Sequence, residues 1–104
     1  MRRSLAIRPQ ADRDIDVLFA YLAQDSPNAA DRFLSAVQEA FELLVEMPQI
    51  GSLQQFDHPA LKDLRRWSVK GFEKHLIFYQ LIASRIEIVR VLHAARDIGN
   101  LFDE

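Results

Sequence analysis

The chain of 104 residues contains no cysteine. This absence excludes a disulfide framework and a thiolate metal site, and it fits a reducing compartment such as the cytoplasm. The three histidines, His58, His75 and His93, lack the spacing that metal ligands usually show. We therefore predict that the protein uses neither a metal nor another cofactor.

Long apolar runs are also missing. No stretch approaches the roughly 20 apolar residues that a membrane-spanning helix needs. The apolar stretch near the start is too short for a signal peptide, because Arg8 and Pro9 interrupt it. We accordingly expect neither export nor membrane insertion, and we predict a cytoplasmic protein.

A strong positive charge is absent as well, since the formal net charge is −2. Residues 1–57 hold five arginines and nine acidic residues, whereas residues 58–104 hold eight lysines or arginines and six acidic residues. Proteins that bind nucleic acid through its phosphates usually carry a clear basic excess. We therefore predict no direct, sequence-specific nucleic-acid binding. The basic cluster within 62–75 fits either a protein partner or a solvated strand face.

The composition that remains is typical of a folded domain. Hydrophobic residues make up 49% of the chain and charged residues 27%. A chain of this length supports a single core of modest size. We therefore predict that residues 1–104 form one domain.

Two amphipathic helices are predicted in the first half, after a short strand at 4–8. Pro9 suits the first position of a helix, and Ser26 followed by Pro27 suits the start of another. Each helix has an apolar stripe at helical spacing. The first stripe is Ile15, Leu18, Phe19 and Leu22, and the second is Phe33, Val37, Phe41 and Leu44. The short connection predicts an antiparallel helix hairpin.

Residues 50–63 show no regular pattern. An irregular segment of this length is unusual in a compact domain, so it is either functional or a packed connector. We favour a connector that is held against the core by Leu53, Phe56 and Leu61.

Three strand-like runs follow. In the first, Arg65, Trp67 and Val69 alternate with Arg66, Ser68 and Lys70. The second, at 76–83, is almost continuously apolar, as in a strand that is covered on both faces. In the third, Ile86, Ile88, Arg90 and Leu92 share one face. The order β-α-α-β-β-β predicts an α+β fold in which the helix hairpin packs on a small twisted antiparallel sheet.

The order and spacing of several short motifs resemble the RelE/ParE toxin superfamily, and within it the ParE branch, over nearly the whole chain. The matching residues are Pro9, Ala11 and Asp12, Pro48 and Gly51, the Leu-Arg-Arg-Trp run at 64–67, Gly71 and Phe72, the His-Leu-Ile-Phe-Tyr run at 75–79, and the run at 88–97 with its Val-Leu-His-x-x-Arg-Asp pattern. The last of these is the most specific.

The resemblance implies a toxin of a bacterial type II toxin–antitoxin system. It also implies a ParD-like antitoxin as partner, with an amphipathic C-terminal segment that wraps the toxin, and DNA gyrase as target. Other members of the superfamily are ribosome-dependent mRNA endonucleases. An inactive toxin fold that serves only in a repressor complex is a third possibility.

The residues themselves argue against a nuclease. RNA cleavage by 2′-OH attack needs a general base, a general acid and cations on the phosphate. The nuclease branch often has a Tyr or a His-Tyr pair near its C-terminus, whereas this chain ends in Asp103 and Glu104 and has Ala94 after His93. Phosphate-binding cations and a proton carrier are still present, namely Arg65, Arg66, Arg90, Arg96, His75 and His93. We therefore predict a non-enzymatic toxin and keep the RelE-like endoribonuclease as the alternative.

The target-facing surface is predicted to lie on the first basic strand and its turn, together with the C-terminal motif. Its residues are Arg65, Arg66, Trp67, Lys70, His93, Arg96 and Asp97. Two points stay open. Trp67 is either a core residue or an interface anchor. The corner formed by His93, Arg96 and Asp97 either binds a partner or, as we favour, locks the chain end. A buried Arg90 would need an acidic or carbonyl partner, so this residue either snorkels to solvent or anchors a polar network. Tyr79 is expected in the core with its hydroxyl at the edge.

Overall fold

A computed structural model describes residues 3–55 and 62–97 of the chain, with the backbone alone at 96 and 97. Five strands and three helices follow one another in these residues. They are β1 (Ser4–Ile7), α1 (Pro9–Asp25), α2 (Pro27–Glu46), β2 (Ser52–Leu53), β3 (Arg65–Val69), β4 (Phe72–Ile82), β5 (Arg85–His93) and α3 (Ala94–Asp97). The predicted order of helices and strands is confirmed, with the short β2 in addition.

The strands form one sheet in the order β1-β5-β4-β3-β2. Neighbouring strands from β2 to β5 are antiparallel, whereas β1 pairs with β5 in parallel. The sheet is therefore mixed, and the expectation of a wholly antiparallel sheet was wrong at β1. A parallel pair needs a long crossover connection, which the helix hairpin and the meander between β1 and β5 provide.

The helix hairpin forms as predicted. Pro9 occupies the first turn of α1, and the N–H of Ser26 donates to the carbonyl of Leu22 where α1 ends. The Ser26 hydroxyl then caps α2 by accepting from the N–H of Ala29 at 3.1 Å. Because a single residue separates the helices, they run antiparallel over one face of the sheet.

The main core lies between the helices and the sheet. The predicted stripe of α2 is buried throughout, and it packs on residues of β4 and β5. The sheet residues of this helix-side core include Ile77, Tyr79, Ile86, Ile88 and Val91. A second cluster of buried residues lies on the opposite face of the sheet and consists of Leu64, Leu76, Phe78, Val89 and Leu92. Strand β4 is therefore buried on both faces, as its continuous apolar sequence predicted.

A β-bulge overturns the predicted alternation of β5. Phe78 pairs with Arg90 while the next residue, Tyr79, pairs with Ile88, so Val89 is the extra residue. Residues beyond the bulge change face, because a shift of one residue inverts the side-chain alternation of a strand. Leu92 therefore lies away from the helices with Val89, not beside Ile88 as predicted.

The connector after α2 differs from its prediction in one respect. Leu53 was expected to pack on the core, but it is 52% exposed. Its place in β2, at the edge of the sheet, leaves it a strand neighbour on one side only. The other two residues of that prediction, Phe56 and Leu61, lie outside the described residues. Within the described part of the chain, no helix is both long and apolar enough to cross a membrane.

Candidate partner-binding surfaces

The turn after α2 is held by two side chains of the sheet. The buried Tyr79 hydroxyl donates to the carbonyl of Pro48 at 2.8 Å and accepts from the N–H of Gly51 at 2.9 Å. The Arg65 guanidinium donates to the carbonyls of Gly51 at 2.8 Å and Gln49 at 3.3 Å. Burial raises the pKa of Tyr79. Arg65, a predicted target-binding residue, therefore fixes this turn. Tyr79 lies in the core as expected, and its buried hydroxyl bonds the backbone of the turn.

Gly51 is required by this arrangement. A Cβ atom at this position would lie 2.5 Å from the Tyr79 hydroxyl oxygen and 2.9 Å from the carbonyl oxygen of Arg66. Both distances are shorter than van der Waals contact. The close approach between the turn and strand β3 therefore depends on the absence of a side chain.

A shallow cavity lined by both polar and apolar atoms opens beside the same turn. It has a volume of about 460 Å³ and is lined by Arg3, Met47, Pro48, Gln49, Ile50 and Leu81. Met47 is 51% exposed and Leu81 40% exposed. The guanidinium of Arg3 lies within reach of the last turn of α2, since it donates to the carbonyl of Val45 at 3.4 Å. Exposed apolar side chains and one cation, Arg3, therefore line the same cavity.

Strand β3 presents the predicted basic surface, but on two faces. Arg66 is exposed and pairs with Phe78, whose side chain belongs to the cluster opposite the helices. Trp67 pairs with Ile77 and packs against the helix-side core. Trp67 therefore serves partly as a core residue, while Arg66 points to the other side of the sheet.

The exposed part of Trp67 borders a second cavity, of about 290 Å³, between α2 and β3. Its remaining lining residues are Ala36, Glu39, Ala40, Leu43, Ser68 and Lys70. The small side chains of α2 leave this space open, and the exposed Lys70 lies at its rim. Two of the predicted site residues, Trp67 and Lys70, thus meet at one groove.

Two paired histidines, His75 of β4 and His93 at the end of β5, form an aromatic group with α2. His75 and His93 pair across β4 and β5, with ring centroids 5.1 Å apart and planes at 89°. Phe33 of α2 lies 5.1 Å from His75 and 5.4 Å from Phe72. The Nδ1 of His93 accepts from the N–H of Ala95 at 3.2 Å, which fixes the start of α3. His93 therefore has a structural contact with the backbone of α3.

The predicted site residues do not form one cluster. Arg65 pairs with Tyr79, whereas His93 pairs with His75 at the other end of β4. Strand β5 is the second neighbour of β3, which places their axes about 10 Å apart. The backbones of residues 96 and 97 belong to α3, but their side chains lie outside the described part of the chain. The predicted partner-binding corner and its alternative, the structural lock, therefore both stay predictions.

An ion pair that the sequence did not reveal joins α1 to β5. Arg90 donates from Nε to Asp14 Oδ2 at 2.8 Å and from a terminal nitrogen to Oδ1 at 3.0 Å. The same carboxylate accepts from the N–H of Val91 at 3.1 Å. Asp14 is 8% exposed and shares the buried face of α1 with Ala11, Ile15 and Leu18. The position of Asp14 on an apolar stripe was the signal in the sequence from which this ion pair could have been inferred. Asp14 supplies the acidic partner that a buried Arg90 was expected to need.

A second polar network surrounds Glu87 on β5. Its carboxylate accepts from Arg85 and, at 2.9 Å, from Arg8, and these hydrogen bonds lower the pKa of Glu87. Arg8 also donates to Gln80 at 3.2 Å, and Gln80 donates to the carbonyl of Lys62 at 3.0 Å. Two arginines thus share one carboxylate close to β1, which leaves this end of the sheet with an excess of positive charge.

No assembled centre for metal chemistry is found in the described ranges, which contain no group of three or more histidine, aspartate or glutamate side chains placed to hold a metal. The described residues offer surface grooves, among them one beside the turn after α2 and one between α2 and β3, and a set of exposed cations. This is a small α+β protein with surfaces suited to contact other macromolecules.

Comparison with known proteins agrees with this description. The model of the family "ParE toxin of type II toxin-antitoxin system, parDE" matches residues 5–98. The chain therefore belongs to the ParE toxin family, and the resemblance stated from the sequence is confirmed. A solved structure titled "Chromosomal ParDE TA system from P. aeruginosa" is similar in fold, with a TM-score of 0.69 at 17% identity over 88% of this chain and 96% of that chain. No curated protein matches the sequence.

Proposed function

We propose that this ParE-family toxin acts by binding DNA gyrase and trapping a state in which the DNA is cleaved, and that a ParD-like antitoxin neutralises it. The family match over residues 5–98 is the observation that carries the proposal. On this proposal the chain works as a single domain in the cytoplasm, where its target is found, and it is not an enzyme.

The geometry supports binding over RNA cleavage. A nuclease needs cations that are free to hold a phosphate in the transition state. The guanidinium of Arg90 already makes two hydrogen bonds with Asp14, and that of Arg65 is bound to two carbonyls of the turn after α2. His75, a candidate proton carrier, is 8% exposed and packed against Phe33. Because these side chains are already bound or buried, they argue against the alternative of an mRNA endonuclease.

The proposed target-facing surface keeps the seven predicted residues and gives them unequal roles. Arg66 and Lys70 are exposed, and Trp67 borders the groove between α2 and β3. Trp is enriched at interface hot spots, where it fills a pocket or lines one. We therefore place the centre of the surface at this groove. Arg66 would add a cation on the opposite face of the same strand, and Arg65, His93, Arg96 and Asp97 stay proposed contacts outside a shared site, since the seven residues do not form one cluster.

A plasmid cleavage experiment tests the proposal. The purified chain, free of any partner, is mixed with gyrase, ATP and supercoiled plasmid, and the products are separated after denaturation. We expect linear plasmid, because a trapped cleavage complex leaves both strands broken. A folded chain that yields neither linear plasmid nor slower supercoiling would contradict the proposal. Cleavage of mRNA only in the presence of ribosomes would establish the alternative.

A further inference from the structure

Only part of strand β3 is paired on the side of β2. Strand β2 is two residues long, and its first residue, Ser52, lies opposite Arg66. The carbonyl of Leu64 accepts from the N–H of Gln54 at 2.8 Å, so the backbone groups of Leu64 and of every second residue after it point towards β2. The next of these beyond Arg66 is Ser68, and no strand of the described ranges lies opposite it on that side. The N–H of Ser68 therefore points past the end of β2.

Three polar side chains meet beside this N–H. Ser52 and Arg66 share a face because they lie opposite each other in paired strands, and Ser68 shares it because it lies two residues after Arg66. All three are exposed, and with Trp67 they line a cavity of about 200 Å³. Within the described part of the chain, neither the guanidinium nor the two hydroxyls are engaged in a hydrogen bond or an ion pair. These donors are therefore available to a ligand.

The donors at this cavity suit an oxyanion. A guanidinium binds two oxygens of a phosphate at once, and hydroxyl and backbone N–H groups are common further donors to phosphate oxygens. The site offers one cation, two hydroxyls and the N–H of Ser68. No carboxylate occurs among the described residues that line it. One positive charge with several neutral donors matches the single negative charge of a phosphodiester.

The surroundings of the cavity favour a nucleic-acid strand over an isolated phosphate. Trp67 lines this cavity and also the groove between α2 and β3, so it lies between the phosphate position and an apolar surface. Every base has a π-face that stacks on aromatic side chains. The exposed Lys70, in the turn after β3, supplies a second cation for a neighbouring phosphate. An isolated phosphate would use neither residue.

The cavity offers no means of cleaving the strand that it would bind. General acid–base catalysis needs a proton carrier within hydrogen-bond reach of the reacting group. No histidine, tyrosine or carboxylate is among the described residues that line the cavity. The net charge of −2 also limits the affinity for a polyanion. Binding here would therefore be weak, independent of sequence and non-catalytic, which agrees with the predicted lack of sequence-specific binding.

We propose that Ser52, Arg66 and Ser68 form a binding site for one phosphodiester group of a nucleic-acid backbone, with Trp67 beside it as a stacking surface and Lys70 as a second contact. In the complex with gyrase, this site holds the DNA while the groove between α2 and β3 faces the enzyme. That identification of the strand rests on the proposed function. The phosphate chemistry itself does not.

The chain has a single tryptophan, whose fluorescence reports on the site directly. The intact protein is titrated at low salt with a short single-stranded oligothymidylate, and the fluorescence of Trp67 is followed together with the amide NMR shifts. We expect saturable quenching, with the largest amide shifts at Ser52, Arg66 and Ser68. Because one or two phosphates are neutralised, the logarithm of the affinity should fall with the logarithm of the salt concentration with a slope of about −0.7 to −1.4.

Two results of this titration would overturn the proposal. One is a lack of binding, or amide shifts that avoid Ser52 and Ser68. The other is a slope steeper than about −3, because it would show diffuse attraction to many cations in place of one site.

Matched substitutions separate the site from general electrostatic attraction. Arg66→Gln removes the charge at the site, while Arg32→Gln removes an equal charge from an exposed position on α2. With both variants shown folded by circular dichroism, we expect Arg66→Gln to weaken oligonucleotide binding at least about tenfold and Arg32→Gln to leave it within about twofold. Ser68→Ala should weaken binding about threefold, and Ser35→Ala, at an exposed position on α2, should not. Equal effects of the two arginine substitutions would contradict a defined site.

Two smaller ligands identify the source of the phosphate. Inorganic phosphate and thymidine 5′-monophosphate carry the charge without a continuing strand, so each should bind at least about tenfold more weakly than the oligonucleotide. Inorganic phosphate that binds as tightly as the oligonucleotide would assign the site to a free phosphate and overturn the nucleic-acid assignment. None of these measurements contains gyrase. Failure of the plasmid experiment and failure of the phosphate site are therefore distinguishable.

Discussion

Arg90 of β5 and Arg66 of β3 are similar in sequence context but differ in what they offer to a partner. Arg90 of β5 is bound by Asp14 from α1, and its side chain is 22% exposed. Arg66 of β3 is exposed and lies on a face of the sheet that the helices do not cover. Both follow a strand pattern with apolar neighbours. The difference shows that a charge becomes available for binding only where the fold supplies no internal partner.

The largest effect is expected from removing the internal partner of Arg90. Asp14→Ala leaves a partly buried guanidinium and the N–H of Val91 without their acceptor, which should cost about 3 kcal/mol of unfolding free energy. Urea denaturation measures the loss. Asp12→Ala, at an exposed position on the same helix, should change stability by less than about 0.5 kcal/mol.

The double variant sharpens this test. Replacing Arg90 with Met in the Asp14→Ala chain removes the unpaired charge, so part of the lost stability should return. If Asp14→Ala left stability unchanged, the ion pair would contribute nothing, and Arg90 would have to be counted among the available cations.

The next effect concerns Arg65 and the turn that it shares with Tyr79. Tyr79→Phe removes a buried hydroxyl and leaves the carbonyl of Pro48 and the N–H of Gly51 unsatisfied, at a cost of about 1–3 kcal/mol. Thermal or urea unfolding measures this cost. Ser35→Ala, at an exposed position on α2, serves as the control. Full stability of Tyr79→Phe would show that Arg65 alone holds the turn.

A smaller effect concerns the carboxylate that Arg85 and Arg8 share. These hydrogen bonds lower the pKa of Glu87 in the folded state. Their contribution to the free energy of unfolding is therefore fully present when the pH is above 4.5, the ordinary pKa of this carboxyl group. It is lost as the pH falls through the lower, folded value. The contribution should not exceed about 1 kcal/mol, since both arginines are partly exposed.

Unfolding of the wild type and of Glu87→Gln, measured between pH 6 and pH 3, checks this sign. We expect the stability of the wild type to fall more steeply in the acid range than that of the variant. Parallel curves for the two proteins would mean that Glu87 does not hold its arginines.

The smallest effect on stability is expected at the cations that we take to be available. Arg66→Glu and Lys70→Glu change exposed side chains at which no internal salt bridge is described, so each should alter the unfolding free energy by less than about 0.5 kcal/mol. Urea denaturation of each variant and of the wild type measures the change in unfolding free energy. A loss comparable to that of Asp14→Ala would erase the contrast between the two strands.

Much of the fold was predictable because its signals are local. The apolar stripes, Ser26 with Pro27, and the turn at Gly71, whose φ is +82°, determine helices and strand ends from neighbouring residues. The bulge at Val89 and the parallel pairing of β1 depend on which strands become neighbours. A single sequence does not state this, and both were missed.

The candidate site was less predictable for the same reason. Arg90 and Asp14 are 76 positions apart, and the engagement of Arg65 depends on where the turn after α2 lies. Sequence spacing placed the cations on the strands, but it did not separate those with internal partners from those that remain exposed. The position of Trp67 at a groove, by contrast, follows from the alternation of β3 and the small residues of α2.

The most direct test of the account is the amount of toxin that gives half-maximal plasmid linearisation by gyrase, measured for the wild type and three charge reversals of equal size. We predict that Arg66→Glu and Lys70→Glu raise this amount at least about tenfold, while Arg32→Glu on α2 leaves it unchanged and all three variants keep wild-type stability. Equal potency of all four proteins would contradict the claim that Arg66 of β3 and Lys70 in the turn after it face the target.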